Sequence, residues 1–256
     1  MSNIGIALQL YTVRDAAAHD LPGTLRRCRE AGFDYVQWSA MPDLPAPAIR
    51  DALDQAGLKA IAAHCAVEPL ETDLAAVSAF WRTVGAPDLA SGGMMSDCLD
   101  SIDAWRRGAA RLDALGARLR GAGMRLSYHN HAFELERFAG DPRLKLDILY
   151  EETDATHLCA EFDTAWLAVG GADPAAYIRK YAGRCPLLHV KDLAPARDAP
   201  GRPVFTPLGQ GMLDWAAVFD AAEEAAVEWY IYEQDACDGD VFDALRRSYE
   251  FLAAHA

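Results

Sequence analysis

Short apolar runs alternate with helical stretches from one end of the chain to the other. The runs Ile4–Leu10, Tyr35–Trp38, Lys59–Ala63, Pro87–Ala90, Met124–His129, His157–Glu161, Pro186–Val190 and Trp229–Tyr232 read as strands. Between them apolar residues recur at i, i+3, i+4 spacing, as in Asp100–Leu119, Asp214–Ala226 and Asp240–Leu252. Two helices have readable ends. Leu21 to Ala31 opens behind Asp20 as N-cap and stops at Gly32, and Ala46 to Ala56 stops at Gly57. Eight strands interleaved singly with eight helical segments predict an α/β fold, a parallel (β/α)8 TIM barrel formed as a single domain over residues 1–256. The fourth strand is the least strand-like, because Val84 to Leu89 is short and turn-rich. A doubly wound open sheet also alternates, but it usually carries a glycine-rich phosphate loop after its first strand, and Gln9 to Asp15 contains no glycine. The stretch Leu193 to Gly211, with Pro195, Pro200, Gly201, Pro203, Pro207 and Gly209, reads as one long irregular loop. A loop of that length in a compact domain is usually functional, and after the seventh strand it would lie over the active-site face.

Composition narrows the possibilities. The chain has 256 residues, the size of one such barrel, and 52 % of them are hydrophobic. It carries 24 Lys and Arg against 38 Asp and Glu, a net charge of −14. That balance argues against a nucleic-acid partner, whose affinity comes from neutralised phosphates, and against a polybasic membrane-surface protein. The first residues lack a cationic segment and read as a strand rather than a signal peptide, and no run approaches the ~18 apolar residues of a membrane span. The six cysteines are scattered, with no Cys-x-x-Cys pair. They are expected to be reduced small hydrophobes in a cytoplasmic protein.

In a barrel of this kind chemistry sits where the strands end. The last four strands end in Tyr128-His129-Asn130-His131-Ala132-Phe133-Glu134, Glu161-Phe162-Asp163, His189-Val190-Lys191-Asp192 and Glu233-Gln234-Asp235. Strand alternation puts Leu187, His189 and Lys191 on one face, Trp229, Ile231 and Glu233 on another, and Cys159, Glu161 and Asp163 on a third. One carboxylate or imidazole from each of four adjacent strands then points at a common centre. Two Glu, one Asp and one His would suit a single Mn²⁺, Mg²⁺, Co²⁺ or Zn²⁺ ion. Each residue alone has a plainer reading. His64 and His157 read as core or rim histidines, Glu161 as an interior carboxylate paired with Arg or Lys, and Asp163 or Asp192 as helix N-caps.

Several strings, in this order along the chain, resemble one known family. They are Gln9-Leu10-Tyr11-Thr12-Val13-Arg14-Asp15, His129-Asn130-His131-x-Phe133-Glu134, Phe162-Asp163-Thr164-Ala165-Trp166, Leu188-His189-Val190-Lys191-Asp192, Leu208-Gly209-Gln210-Gly211 and Tyr232-Glu233-Gln234-Asp235. Together they resemble the xylose isomerase-like TIM barrels of the sugar phosphate isomerase/epimerase group. The resemblance implies that Glu134, Asp163, His189 and Glu233 ligate one divalent metal ion. It implies a sugar, keto-sugar or cyclitol substrate whose carbonyl and neighbouring oxygen chelate that ion, and two glutamates that move protons on opposite faces. Related ketose 3-epimerases and inosose dehydratases carry a His three residues after the metal-binding Asp, where this chain has Trp166. The related abasic-site endonucleases need further histidines for three zinc ions, and this chain has only seven in all.

The leading expectation is a metal-dependent sugar isomerase or epimerase acting through an enediolate. Glu134 and Glu233, or His129 and His131, would move the proton. Lys191 and Arg14 would neutralise charge, and Tyr11, Trp38, His64 and Trp166 would complete the substrate-binding set. The alternative is a lyase or hydrolase that cleaves 3-keto-glycosides by β-elimination after the same proton loss. A non-catalytic sugar-binding barrel is a third reading. A homo-oligomer is a further possibility, with Trp81, Trp105, Trp215 and Phe219 as candidate helix-face anchors.

Overall fold

Residues paired across neighbouring strands decide which side chains meet inside this protein. The computed structural model describes residues 4–197 and 202–255. Its strands in chain order are β1 (Gly5–Gln9), β2 (Tyr35–Trp38), β3 (Lys59–His64), β4 (Asp88–Ser91), β5 (Arg125–His129), β6 (Leu158–Asp163), β7 (Leu187–Val190), β8 (Asp192–Arg197), β9 (Pro203–Thr206) and β10 (Trp229–Tyr232). Eight of them close a parallel barrel in the order β1-β10-β7-β6-β5-β4-β3-β2, while β8 and β9 pair as a separate antiparallel hairpin. The expected strands are all present, including the short fourth one, which pairs with both neighbours as β4. The stretch expected to be irregular throughout instead carries the β8–β9 hairpin. Pro200 and Gly201 of that stretch lie outside the described residues.

The helices are α1 (Arg14–His19), α2 (Leu21–Glu30), α3 (Ala46–Ala56), α4 (Val67–Val84), α5 (Ile102–Gly121), α6 (Lys145–Glu151), α7 (Thr164–Val169), α8 (Pro174–Lys180), α9 (Trp215–Glu224) and α10 (Val241–Ala253). Six of them, α2, α5 and α7 to α10, start behind a short polar side chain that accepts from the otherwise unpaired first N–H groups. Asp20 Oδ1 accepts from Gly23 N at 2.9 Å, Ser101 Oγ from Ala104 N at 3.1 Å and Asp214 Oδ1 from Ala217 N at 3.1 Å. α4 kinks where Asp73 leaves helical geometry, and Asp73 Oδ1 caps the second half by accepting from Ala76 N.

The barrel interior is layered. Ala7, Ile61, Ala62, Leu187 and Ile231 fill its apolar lower part. Above it, the registers set His129 opposite Glu161 and Asp163 opposite His189. At the closed end the Arg125 guanidinium makes paired hydrogen bonds to Asp88, at 2.7 Å for each, and reaches Glu228 as well. The larger core lies between barrel and helices. Trp81, Trp105 and Trp215 are buried there and Phe219 is packed against it, so these aromatics take the core-packing role that the sequence favoured over that of oligomer anchors. The six cysteines are unpaired thiols, and burial pushes Cys28 and Cys185 up to about 12. Among the described residues no helix is long and apolar enough to cross a membrane.

One carboxylate organises the chain that returns from the hairpin to α9. Asp192 is fully buried and accepts from Leu193 N, Gly209 N, Gly211 N and the Trp215 indole N–H, at 2.8, 3.1, 3.0 and 2.8 Å. A Cβ at Gly211 would come within 2.1 Å of Asp192 Oδ1, and Gly209 takes a φ of +74°. The Leu208-Gly209-Gln210-Gly211 string is therefore the wrapping of a loop around one side chain. Replacing Asp192 with Ala strands these donors in a buried place. The expected cost is about 3 kcal/mol, a Tm fall of roughly 10 °C in a thermal melt for a chain of this size.

Candidate active site

The polar floor of the barrel is a connected hydrogen-bond chain. Gln9 Nε2 donates to Gln37 Oε1 at 2.8 Å, and Gln37 Nε2 donates to Glu161 Oε2 at 2.6 Å. The other Glu161 oxygen lies 2.7 Å from His64 Nε2, 3.1 Å from His189 Nε2 and 3.4 Å from His129 Nδ1. Burial works to raise the Glu161 pKa, but the surrounding imidazoles, His189 foremost, hold it well below the usual carboxylate range. Gln37 Oε1 also accepts from His189 Nε2 at 2.6 Å, while Nδ1 faces Glu233 Oε2 at 3.0 Å. Burial works against a charge on His189, but Glu161 and Glu233 raise it to about 10, so both ring nitrogens carry a proton.

Above this floor His129, Asp163, His189 and Glu233 place four ligand atoms within 4.8 Å of one another, all from buried residues. Buried His129 Nδ1 makes no hydrogen bond. Asp163 Oδ1 is used as the N-cap of α7, accepting from Trp166 N at 2.9 Å, and Oδ2 turns to the donor cluster, where it faces the Lys191 ammonium. Two imidazoles and two carboxylates are a donor set that fits a divalent first-row cation. Glu161 stands behind the two imidazoles as the carboxylate that orients metal-binding histidines in such sites. A second group, His64, His129, Glu161 and His189, shares two of these residues.

Lys191 Nζ sits beside the donors, 2.9 Å from Asp163 Oδ2, 2.7 Å from Glu233 Oε2 and 2.9 Å from Asp235 Oδ1. Burial works against its charge, but the three carboxylates raise its pKa further and keep it an ammonium. Burial raises Asp163 to about 6 despite Lys191. Burial opposes ionisation of Glu233 as well, but Lys191 and His189 hold its pKa well down. His131, half-buried and close to Lys191, is pushed down to about 4 by the loss of solvent and stands as a neutral imidazole at neutral pH.

Of the residues expected to form the site, Tyr11, His64, His129, His131, Trp166, Lys191 and Glu233 line one cavity of about 330 Å³. Asp235 of the last strand end lines it too, as do Ser39 and Gly92, which carry no signal in the sequence. Trp166 stacks its edge against Phe205 of the hairpin and lies 5.5 Å from the His131 ring, forming an aromatic wall. Three expected residues are elsewhere. Glu134 does not join the donor cluster. It is fully buried behind the barrel wall, with Oε1 accepting from Tyr128 Oη at 2.8 Å and Oε2 from His131 N at 2.9 Å, and burial raises it to about 7. Trp38 packs into the hydrophobic core. Arg14 covers the Tyr11 ring and donates to the carbonyls of Tyr11 and Asp235, bracing the cavity's edge from outside.

The strand-end positions thus offer His129 where Glu134 was expected, and Glu161 as its support. Two substitutions separate these roles. Glu161→Gln is expected to weaken divalent-metal affinity about 10- to 100-fold by isothermal titration. Glu134→Gln puts an amide NH₂ against one of two N–H or O–H donors, so it should cost about 1–3 kcal/mol of stability and leave the metal Kd unchanged. A Glu134→Gln protein that keeps its melting temperature but loses metal would reverse the assignment.

Comparison with known proteins agrees with this architecture. Inosose dehydratase of Lacticaseibacillus casei is 28% identical over 171 residues, covering 59% of this chain and 55% of that protein. That of Geobacillus kaustophilus is 30% identical over 126 residues, covering 44% and 40%. The chain's matches thus span about half the length of these curated relatives. A sugar phosphate isomerase/epimerase from Parabacteroides distasonis superposes with a TM-score of 0.83 at 19% identity, covering 98% of both chains. An L-ribulose 3-epimerase superposes at 0.74 with 19% identity, covering 100% and 94%. A xylose isomerase-like barrel from Mycobacterium smegmatis in complex with magnesium superposes at 0.72 with 19% identity, covering 99% and 97%. At these identities the structures share the fold. A family model for the xylose isomerase-like TIM barrel matches residues 25–255, and the chain belongs to that family.

Proposed function

We propose that this protein is a divalent-metal-dependent lyase acting on a keto-sugar or keto-cyclitol, removing the proton next to the carbonyl and expelling a group from the following carbon. The observation that carries the reading is the buried set His129, Asp163, His189 and Glu233 at the floor of a cavity whose mouth holds an imidazole outside that set, His131. The names of the sequence relatives, dehydratases of a keto-cyclitol, favour elimination over the isomerisation first expected. When bound at these four residues, a divalent cation supplies Lewis acidity to the substrate carbonyl.

The chain's own groups do the rest. His131 is the base that removes the α-proton, since its ring opens on the cavity and it is not among the four donors. The Lys191 ammonium, fixed by Asp163, Glu233 and Asp235, offsets the negative charge that develops on the substrate oxygen. Trp166 and Tyr11 give apolar faces for a sugar ring. Phe205 of the hairpin packs edge-on against Trp166 and holds that face in place.

The second reading is epimerisation, favoured by the likeness to an L-ribulose 3-epimerase. The two differ in products. Incubation of a keto-inositol or a 3-keto-glucoside in deuterium oxide should yield a conjugated enone lighter by water or alcohol. Chelator should abolish it, a divalent metal should restore it, and His131→Asn should lower kcat about 10²- to 10⁴-fold. Deuterium incorporated at one carbon with no group lost would establish the epimerase instead.

A further inference from the structure

A cation of the chain's own is built into the donor cluster. Lys191 is buried, and its ammonium stands 2.9 Å from Asp163 Oδ2 and 2.7 Å from Glu233 Oε2. Those two carboxylates are the anionic half of the set His129, Asp163, His189 and Glu233. Asp163 has only Oδ2 to offer a cation, since Oδ1 caps α7 through Trp166 N. A divalent ion and the ammonium therefore call on the same oxygens, and two cations so close to each other repel.

The lysine has a second place to stand. Its third partner, Asp235, lies outside the donor set and lines the cavity. Nζ donates a hydrogen bond to Asp235 Oδ1 at 2.9 Å, whereas Asp163 Oδ2 is met as a charge, without a hydrogen bond. Nζ also lies over the rings of Trp166 and Phe205, 5.6 and 5.3 Å from their centres, where an aromatic face attracts a cation. The backbone beneath is fixed. Lys191 N donates to Thr164 Oγ1 at 3.0 Å, and that hydroxyl donates to the Lys191 carbonyl at 2.8 Å. Any adjustment of the ammonium thus falls on its flexible four-carbon stem.

We propose that Lys191 is a resident competitor for the divalent ion: the ion takes over the Asp163 and Glu233 oxygens, and the ammonium keeps Asp235 alone. This rests on the metal-binding part of the reading above and not on the elimination. The competition makes the metal site weaker than its four donors alone would make it, so the ion is exchangeable. It also gives the buried carboxylates a counter-charge with or without the ion, so the barrel folds in either state. With the ion in place the ammonium is paired to one carboxylate instead of three, and it is free to meet a substrate oxygen.

The test titrates Mn²⁺ into chelator-stripped protein by calorimetry. Lys191→Met keeps the length of the stem and removes the charge. Its Mn²⁺ Kd is expected about 10- to 1,000-fold below that of wild type, the span by which one neighbouring charge shifts a carboxylate's affinity for a proton. In chelator the same variant should melt below wild type, because three carboxylates lose their counter-ion, and Mn²⁺ should raise its Tm by more than it raises that of wild type. Asp235→Asn removes the second place, so its Kd should rise about 10-fold. In a Lys191→Met background the same change should move the Kd far less, because Asp235 acts through the lysine. A Lys191→Met Kd equal to or above that of wild type overturns the competition. An Asp235→Asn Kd equal to that of wild type does so too, and it decides the matter if Lys191→Met does not fold. An Asp235→Asn effect of full size in both backgrounds is equally fatal. Absence of Mn²⁺ binding to wild type and variants alike overturns this inference together with the metal site. Kd shifts in the expected directions support the competition even where no keto-sugar is eliminated, an outcome that sinks the lyase reading alone.

Discussion

A carboxylate fully enclosed in the barrel is the constraint on which the site depends. Glu161 is costly to bury as an anion, and its position is tolerable only because Gln37, His64 and His189 all direct polar hydrogens or ring nitrogens at it. Those partners arrive from β2, β3 and β7, so satisfying one side chain fixes three strands in level. The imidazole orientations that a metal site requires are then a by-product of solving a solvation problem. Gln9 and Gln37 extend the solution to β1 and show why long amides occur in strands whose other inward residues are small or apolar.

The wall facing the substrate is built by a different device. Asp192 gathers backbone N–H groups from the segment following the hairpin and thereby sets where β9 and Phe205 lie. Phe205 meets Trp166, and Trp166 is held by Asp163, whose one oxygen caps α7 while the other faces the donor cluster. Floor and wall therefore meet in Asp163. The same residue positions an aromatic face of the cavity and contributes to the charge beneath it.

Most of this was legible in the sequence where strand periodicity applied. The eight strands and the inward faces of β6, β7 and β10 follow from alternation, which is why the sequence already directs Asp163, His189 and Glu233 toward one centre. Applied to β5, the same period places Ser127 and His129 inward and Tyr128 outward. That signal identifies His129, whereas the family likeness pointed to Glu134. Glu134 sits in the short turn Phe133–Leu135 after the strand, and there the period-2 rule no longer governs direction. The turn carries it to the outward side, to Tyr128. Trp38 was misplaced for the same kind of reason, since an aromatic at a strand end is as well placed for core packing as for stacking on a ligand. Hairpin formation within the Pro-rich stretch was hidden because what organises that stretch, Asp192, lies at its start and acts through backbone groups rather than through an apolar pattern.

The guanidinium of Arg125 closes the far end of the barrel, tying β4, β5 and the approach to β10 through Asp88 and Glu228. It shares no partner with the chemistry at the mouth. A barrel so secured at its base retains a margin of stability when residues at the rim change, and new substrates are usually acquired by rim changes that destabilise. Side chains at the mouth can therefore be exchanged without unpairing Arg125, Asp88 or Glu228.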